Sequence, residues 1–511
     1  MLSKNISLME NHNDALLCWI KACQKNKILV HVDAHFDFAW IADKDPHEIL
    51  NAKTISDFKR LAKENLFWNI SNKKKDELTH IGNYIYPAIK EDIVREFYWV
   101  VPDSVFSGRQ RLSRFKKEID DIIKSNPEEK HGLRLQGDYL ETKICDIRLV
   151  ICRLRDLPKF EEDVLLDIDV DYFIAQEKLW LEPAQFIKIL EEKGLKSDLV
   201  TIAYSVEGGF TPIGYKFIGD YLAYLFNGRN QGACPRMFLS GDKNPPRPEG
   251  APPLEKGGEG GFDRAVSLII QAIDAKSHED AIHFLKEAEN IYPDCAAIYF
   301  HLSNIYYETG LKKEAKDYYH KAVSQDPSYR TLYNNKGPLF ENRGRLKDAE
   351  DEYKKMLELD PDNPQFLTRL GNIYRKKKKW DDAMFNYNRA LKIDPNNEES
   401  FRNIGYIHMI KNDMDKAVED FKKALSLKPD NPFTHSYLGL AHIKKKDYNE
   451  AMRETRRAIN SGLFTYPPLR WRLVFIYFKK GLYDRLLDEL KAAFTASYFN
   501  IFWRVKAWLR Y

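Results

Sequence analysis

Beyond residue 262 the sequence repeats itself every 34 residues, and this period restricts the fold more than any other feature. The spacing is kept by prolines at Pro293, Pro327, Pro361, Pro395 and Pro429. Small residues keep the same register at Ala281, Ala315, Ala349, Ala383, Ala417 and Ala451, and at Ser303, Gly337, Gly371, Gly405 and Gly439. Small side chains let two antiparallel helices approach closely, and proline ends the second helix of each unit. The pattern therefore predicts stacked helix pairs rather than one globular core.

This 34-residue pattern resembles the tetratricopeptide repeat (TPR). The resemblance implies a superhelix with a concave groove that binds a peptide or protein partner. In the repeat frame, the side chains expected to line the groove are Asn304, Asn335, Arg369, Asn372 and Asn403. Amides there could hold a peptide backbone, or the same positions could be solvated helix surface. We predict the array over residues 263–464 and an atypical last repeat with a capping helix over 465–511.

Proline and glycine are concentrated in residues 241–262, which predicts a linker because this composition builds neither a helix nor a central strand. The linker separates the repeats from an N-terminal domain over residues 1–240. The whole chain has 511 residues, too many for one core. A net charge of +4 gives no case for a nucleic-acid partner.

The cysteine pattern and the hydropathy of the chain indicate the cellular compartment in which the protein is expected. The six cysteines form no Cys-x-x-Cys pair, which favours reduced thiols in a cytoplasmic protein. No apolar stretch reaches the roughly 18 residues that a membrane span needs, so we expect no membrane association. The sequence does not determine the oligomeric state.

Strand-like and helix-like segments alternate through residues 1–240. An amphipathic helix is predicted at 14–25, and buried strands at 28–32, 97–101, 164–166 and 199–203. This order predicts an α/β domain with a mainly parallel sheet flanked by helices. In such sheets ligands bind at the carboxyl ends of the strands.

Two acidic strings follow predicted strands at these positions. One is Asp33-Ala34-His35-Phe36-Asp37, and the other is Asp167-Ile168-Asp169-Val170-Asp171. Residues i and i+2 of a strand share a face, so the acidic side chains of each string converge. Buried carboxylates without a lysine or arginine among them repel one another, and a bound cation removes this repulsion. Two such strings suggest two metal ions.

The first string resembles the Asp-Ala-His-x-Asp signature of the arginase and agmatinase ureohydrolases, and Asp169-Val170-Asp171 resembles their second metal string. His12, which precedes the first helix, matches an earlier histidine of that family. The resemblance covers residues 8–220 and implies a three-layer αβα fold with two manganese ions. In the related deacetylases, which use one zinc ion, a histidine stands at the position of Asp171.

The resemblance also implies a ligand set. Asp33 and Asp169 would bridge the two ions. His12 and Asp37 would complete one ion, and His35 and Asp171 the other. Asp167 shares a face with Asp169, so it is either a further ligand or a neighbour that supports the ligands. Two imidazoles among many carboxylates suit manganese. His31 is expected beside the site rather than in it.

The chemistry implied is hydrolysis of a guanidinium group with release of urea, by water activated between two cations about 3.5–4 Å apart. A histidine in the loop between the two strings would shuttle a proton, and His80 is the first candidate, with His47 and His131 as alternatives. A carboxylate would hold the guanidinium, for which Glu207 and Asp220 are the candidates.

Fusion of such a domain to TPR-like repeats resembles the bacterial peptide arginases, which convert arginine side chains of a precursor peptide to ornithine. The resemblance implies a peptide or protein substrate bound by the repeats, which would raise its local concentration. Two alternatives stay open. The first is a deacetylase-like amide hydrolase, and the second is a non-enzymatic TPR scaffold with a degenerate metal domain.

Overall fold

A computed structural model of the chain describes residues 5–10, 13–35, 84–124, 131–175, 178–206, 211–228, 261–293, 295–330, 337–342, 344–463 and 467–494. These residues belong to two compact units. The first contains the described residues up to 330, and the second contains those from 337 onward.

Within its described residues, the first unit is built on an eight-stranded sheet with the order β1-β10-β7-β2-β3-β6-β5-β4. The strands are β1 (Ile6–Met9), β2 (Lys27–Val32), β3 (Val94–Val100), β4 (Arg134–Gln136), β5 (Tyr139–Ile144), β6 (Ile147–Cys152), β7 (Val164–Asp169) and β10 (Ser197–Ala203). In this spatial order, neighbouring strands are parallel from β1 through β10, β7, β2 and β3 to β6. Strands β5 and β4 continue the sheet in antiparallel orientation. Two short strands, β8 (Ile174–Ala175) and β9 (Lys178–Leu179), form a separate ribbon.

Helices lie on both faces of this sheet. They are α1 (Asn13–Lys21), α2 (Ile85–Lys90), α3 (Arg109–Ile123), α4 (Pro183–Glu192) and α5 (Phe217–Phe226). Successive side chains of β2 enter two different apolar clusters. Leu29 lies in the cluster that includes α1, α2 and α3, and Val30 lies in the cluster that includes α4 and α5. Burial of both faces explains the continuous apolar runs of the parallel strands. The predicted α/β class is confirmed.

The predicted elements are found with small differences in their bounds. The strands expected at 28–32, 97–101, 164–166 and 199–203 correspond to β2, β3, β7 and β10. Strand β7 continues through the acidic string to Asp169, because Ile168 between the acids is fully buried in the core. The helix predicted to reach residue 25 ends at Lys21, and Cys23 then adopts a φ of 52°.

Four helices of the repeat region belong to the first unit. They are α6 (Gly261–Asp274), α7 (His278–Ile291), α8 (Ala296–Glu308) and α9 (Lys312–Gln325). Phe262 and Ile298 from these helices join the apolar cluster that contains Val170 and Tyr204 of the sheet domain. The division between compact units therefore falls after α9 and not in the Pro/Gly-rich segment. Most of that segment, 241–260, lies outside the described residues, and its last two positions, 261 and 262, are helical.

The second unit is all-helical in its described part. Its helices are α10 (Gly337–Asn342), α11 (Leu346–Leu359), α12 (Pro364–Lys376), α13 (Trp380–Ile393), α14 (Glu398–Ile410), α15 (Met414–Leu427), α16 (Pro432–Lys444), α17 (Tyr448–Ala458) and α18 (Pro467–Lys480), followed by a helix over 483–494.

The small residues of the repeat lie where two helices of a unit pack together. A Cβ atom added at Gly371 of α12 would lie 2.6 Å from the Tyr387 ring of α13, and one at Gly405 would lie 2.8 Å from the Phe421 ring. These distances are shorter than a van der Waals contact, so only glycine fits. The interpretation of the 34-residue pattern as paired helices is thus confirmed.

In the part of the chain that the structure describes, no helix combines the length and the apolar character that crossing a membrane requires.

Candidate metal centre

The acidic strings lie at the carboxyl ends of neighbouring strands. Strand β2 pairs with β7, with His31 opposite Asp167 and Val32 opposite Ile168. Strand β10 lies on the other side of β7, with Ala203 opposite Asp169. The residues that follow these strands therefore meet at one edge of the sheet, as the sequence predicted.

Asp33, His35 and Asp171 form a cluster in which one potential ligand atom from each residue lies within 4.8 Å of the other two. The Nδ1 atom of His35 is 2.7 Å from Oδ2 of Asp171 and 3.7 Å from Oδ1 of Asp33. Both carboxylates are buried, whereas the side chain of His35 is 50% exposed. The cluster is therefore open to solvent on the side of the histidine.

Asp169 lies next to this cluster and is held by two hydrogen bonds. Its Oδ1 atom accepts from the backbone N–H of Asp171 at 3.2 Å, and its Oδ2 atom accepts from the Ser205 hydroxyl at 3.1 Å. Ser205 is the second residue after the end of β10 and has a φ of 54°. The prediction from the sequence did not include this serine, although its position just after the predicted strand at 199–203 was a usable signal.

Among the described residues, the cluster contains more acidic groups than basic ones. Burial, with the nearby charges of Asp169 and Asp33, raises the pKa of Asp171 well above its ordinary range, and His35 offsets only part of this. Burial lowers the pKa of His35, but its hydrogen bonds with Asp171 and Asp33 outweigh burial and raise it to about 11. Without another cation, the carboxylates therefore either keep protons or stay paired with a protonated His35 imidazole. A bound cation can replace that positive charge.

These side chains fit a divalent cation. The Oδ1 atom of Asp171 is buried and receives no hydrogen bond from the described residues. Three carboxylates and one imidazole, with His35 as the only positively charged group among those that shift the pKa of Asp171, make an oxygen-rich set. Such a set suits manganese better than a structural zinc ion, which prefers nitrogen and sulfur ligands.

Asp167 does not join the cluster but lies behind it, in the interior. Its carboxylate accepts hydrogen bonds from the Tyr84 and Thr201 hydroxyls, and Nδ1 of His31 is 2.9 Å from its Oδ2 atom. His31 and Asp167 are both fully buried. Of the two roles left open for Asp167, this position favours support of the ligands. No pattern in the sequence singles out Tyr84 or Thr201, which come from distant segments.

Several predicted site residues lie outside the described residues, namely His12, Asp37, His47, His80, Glu207 and Asn335. His131 is described and is exposed beside β5, three positions from β2 in the sheet. The structure therefore does not bring it to the cluster.

Asp220, one of the two candidates for holding a guanidinium, belongs to a different group. It accepts a hydrogen bond from the Tyr204 hydroxyl, and the charge of Lys216 acts on it. Burial nevertheless raises its pKa above the ordinary value. Because the hydrogen-bond partner of Asp220 among the described residues is Tyr204 and not a member of the cluster, the geometry gives no support to Asp220 as the substrate carboxylate.

The predicted groove residues are more buried than a simple peptide-binding surface requires. Asn372 and Asn403 are only 5% and 2% exposed. The Oδ1 atom of Asn372 accepts from Asn403 and from Tyr387, each at 2.8 Å, and its amide donates to Glu399 at 2.9 Å. The two amides therefore join α12, α13 and α14, and binding a peptide backbone would require displacing these bonds.

The other two described groove positions are half-buried. Asn304 lies on α8 of the first unit, and Arg369 lies on α12. Burial raises the pKa of Glu399, but the charges of Arg369 and Arg402 outweigh it and lower that pKa below the ordinary value. These two arginine side chains therefore lie close enough to Glu399 to stabilise its ionised form.

The similarities of this chain to known protein families lie in the repeat region. Models of the tetratricopeptide repeat family match residues 272–335, 331–363, 352–385, 371–410 and 405–446. No curated protein sequence gives a significant match to the chain.

Similar solved structures include MamA, at 21% identity and a TM-score of 0.30, covering 32% of this chain and 96% of that one. PilF of Pseudomonas aeruginosa is 20% identical with a TM-score of 0.28, covering 39% of this chain and 88% of that one. YrrB, described as "a TPR protein with an unusual peptide-binding site", is 20% identical with a TM-score of 0.25, covering 35% and 91% of the two chains. On the family matches, residues 272–446 of this chain are tetratricopeptide repeats.

Proposed function

We propose that the chain is a manganese-dependent hydrolase with an arginase-like N-terminal domain. It would convert arginine side chains of a peptide or protein to ornithine and release urea, while the repeats bind that substrate or a partner. The observation that carries this proposal is the cluster of Asp33, His35 and Asp171, whose two carboxylates are buried, with Asp169 beside it, at the carboxyl edge of a parallel sheet.

The cation would be held by Asp33, His35, Asp169 and Asp171, with His12 and Asp37 completing the set that the family resemblance implies. When bound, a pair of manganese ions would supply an activated water at neutral pH and would stabilise the oxyanion formed when that water attacks a trigonal carbon. The protein contributes the fixed geometry. Ser205 and the Asp171 backbone hold Asp169, and the Asp33 carboxylate accepts from the His35 backbone at 2.7 Å.

Access to the cluster suits a side chain carried by a large substrate. His35 is half-exposed while the carboxylates are buried, so an arginine on a peptide can approach from solvent without the peptide backbone entering the core. A guanidinium needs a carboxylate partner. With Asp220 bonded to the Tyr204 hydroxyl, Glu207 is the preferred candidate for that role, and His80 stays the proposed proton shuttle.

A pocket of about 450 Å³ lies among residues that follow the carboxyl ends of β3 and β7. It is lined by Ser104, Val105, Arg111, Phe115 and Ala175. Among the residues that the structure describes, its lining contains a cation and no carboxylate, so it suits a carbonyl or carboxylate oxygen rather than a guanidinium. In this proposal the pocket holds part of the substrate other than the reacting group.

The repeats would serve the reaction by raising the local concentration of the substrate, since one chain would carry both binding elements. A scaffold without catalysis is the second candidate function. It is favoured by one specific observation, which is that the family models that match the chain cover only the repeats.

The experiment begins with metal content after purification with manganese, measured for wild type, Asp171→Asn and the control Asp138→Asn, whose side chain is 80% exposed in a turn. We expect two manganese ions per chain in wild type and control and a marked loss in Asp171→Asn. Arginine-containing and acetyl-lysine peptides are then assayed for urea and for acetate. Urea supports the proposal, whereas acetate without urea would replace it by amide hydrolysis. Absence of bound metal in wild type would leave the scaffold.

A further inference from the structure

We infer that His31 and Asp167 form a buried pair that orients the Asp33 carboxylate for metal binding. The inference rests on the proposed metal centre and adds two positioning residues to it. Neither residue touches the substrate in this arrangement, and both act through Asp33.

The imidazole of His31 lies between two carboxylates. Its Nδ1 atom is 2.9 Å from Oδ2 of Asp167, and its Nε2 atom is 3.2 Å from Oδ2 of Asp33. All three side chains are at most 1% exposed. Because each ring nitrogen faces a different acid, rotation of the ring would break both contacts at once.

Asp167 is itself anchored by several elements of the fold. It lies on β7, opposite His31 of β2 in the strand register. Its Oδ1 atom accepts from Thr201 of β10, and its Oδ2 atom accepts from Tyr84, which immediately precedes α2. A carboxylate bonded to three other segments of the core is a rigid support, since a buried polar network of this kind has few alternative arrangements.

The two oxygens of Asp33 consequently have different neighbours. Oδ2 faces His31, while Oδ1 accepts from the His35 backbone N–H at 2.7 Å and lies 3.7 Å from the His35 ring. This arrangement fixes the plane of the carboxylate and directs Oδ1 toward the cluster with His35 and Asp171. Partners that orient a metal ligand in this way commonly change metal affinity 10–100-fold when they are removed.

Two nearly isosteric substitutions of His31 separate its two contacts. In His31→Asn the amide nitrogen can occupy the position of Nδ1 and keep the Asp167 contact, but the side chain is too short to reach Asp33. In His31→Gln the amide nitrogen can occupy the position of Nε2 and keep the Asp33 contact. A third variant, His301→Gln, serves as control, because His301 is a partly buried histidine of the same unit, bonded to the Gly214 carbonyl at 2.9 Å.

The readout is the dissociation constant for Mn²⁺, measured by calorimetry on full-length protein stripped of metal, with the melting temperature recorded in parallel. We expect His31→Asn to weaken binding about 10–100-fold, His31→Gln to stay within about threefold of wild type, and His301→Gln to lower the melting temperature without changing the dissociation constant. Asp167→Asn, which keeps the size of the side chain, should also weaken binding.

Equal Mn²⁺ affinity in folded His31→Asn and wild type would overturn the inference and leave the metal centre intact. Equal losses in His31→Asn, His31→Gln and His301→Gln would overturn it too, because they would report general destabilisation. If wild type itself binds no Mn²⁺, the proposed function fails and the inference fails with it. If His31→Asn does not fold, the comparison of Asp167→Asn with wild type decides the matter.

Discussion

The ammonium group of Lys216 donates a hydrogen bond to the carboxylate of Asp326, and this pair ties the start of α5 to the turn after α9. The side chain of Lys216 is only 7% exposed, and its Nζ atom also lies 4.9 Å from the centre of the Tyr204 ring. Asp326 accepts a further hydrogen bond from the backbone N–H of Ser328 at 2.9 Å. Within the first unit, a buried ion pair thus joins the sheet domain to the repeat helices.

Replacing Lys216 by methionine should destabilise the first unit, because the substitution leaves Asp326 and Asp220 without their cation in a buried place. Breaking one partner of a buried pair costs about 3–5 kcal/mol. Urea unfolding of wild type and Lys216→Met measures this loss. Lys188→Met is the control, since Lys188 is 75% exposed and its pair with Glu192 is worth at most about 1 kcal/mol. A loss no greater than that of the control would contradict the prediction.

Gly371→Ala should destabilise the second unit. The added Cβ would lie 2.6 Å from the Tyr387 ring, so the pair α12 and α13 must separate or the ring must leave its position, at a cost of about 1–3 kcal/mol. At Gly261 the same substitution meets only Ile291 at 3.8 Å, an ordinary contact, and serves as control. Thermal unfolding compares the two variants. The prediction fails if Gly371→Ala melts at the wild-type temperature.

Lys378→Gly should stabilise the second unit by about 1 kcal/mol, because Lys378 has a φ of 59°, in the left-handed region that disfavours a residue with a Cβ atom. Gly310 and Gly344 hold the corresponding positions, 68 and 34 residues earlier, with φ values of 84° and 71°. Chemical unfolding measures the gain. Lys392→Gly, inside the last turn of α13, is the control and should lose up to about 1 kcal/mol. Destabilisation by Lys378→Gly would refute the argument.

Glu350 should contribute stability that disappears in acid. Burial raises the pKa of its carboxyl, but hydrogen bonds from Lys354 at 2.6 Å and Lys377 at 2.5 Å outweigh burial and lower it to about 2. Because the pKa is lower in the folded state, the contribution is complete above the ordinary value of 4.5 and is lost as the pH falls toward 2.

Glu350→Gln should therefore be less stable than wild type at neutral pH, by an amount on the order of 1–3 kcal/mol. The difference should shrink as the pH falls from 4.5 toward 2. Urea unfolding at a series of pH values tests both statements, with the exposed Asp351→Asn as control. A difference that is constant across this range would show that the ionised carboxylate is not the source of the stability.

The local part of this architecture could be predicted from the sequence. Each repeat is defined by contacts within about 34 residues, so prolines, alanines and glycines at that spacing are sufficient to predict the helix pairs. The apolar runs that end in acids similarly predict strands with carboxylates at their carboxyl ends. Both predictions depend on residues that are close together in the chain, and these can be read directly from the sequence.

The long-range part could not be predicted in the same way. Nothing in the local sequence shows that β2 and β7 are adjacent, and this adjacency alone brings Asp33 to Asp171 and His31 to Asp167. The amides of Asn372 and Asn403 have the right repeat positions for a groove, yet they bond to each other because α12 and α14 approach closely. Side-chain partners of this kind depend on packing between distant segments.

The apolar cluster that Phe262 and Ile298 share with Val170 and Tyr204 has a consequence for how the gene could have changed. A recombination at the Pro/Gly-rich segment would separate side chains that evolved to fit one another and would leave two apolar faces in water. Helices α6 to α9 therefore form one structural unit with the sheet. The repeats from residue 337 onward are the part that exchange or duplication could replace, so their surface could change without rebuilding the candidate metal centre.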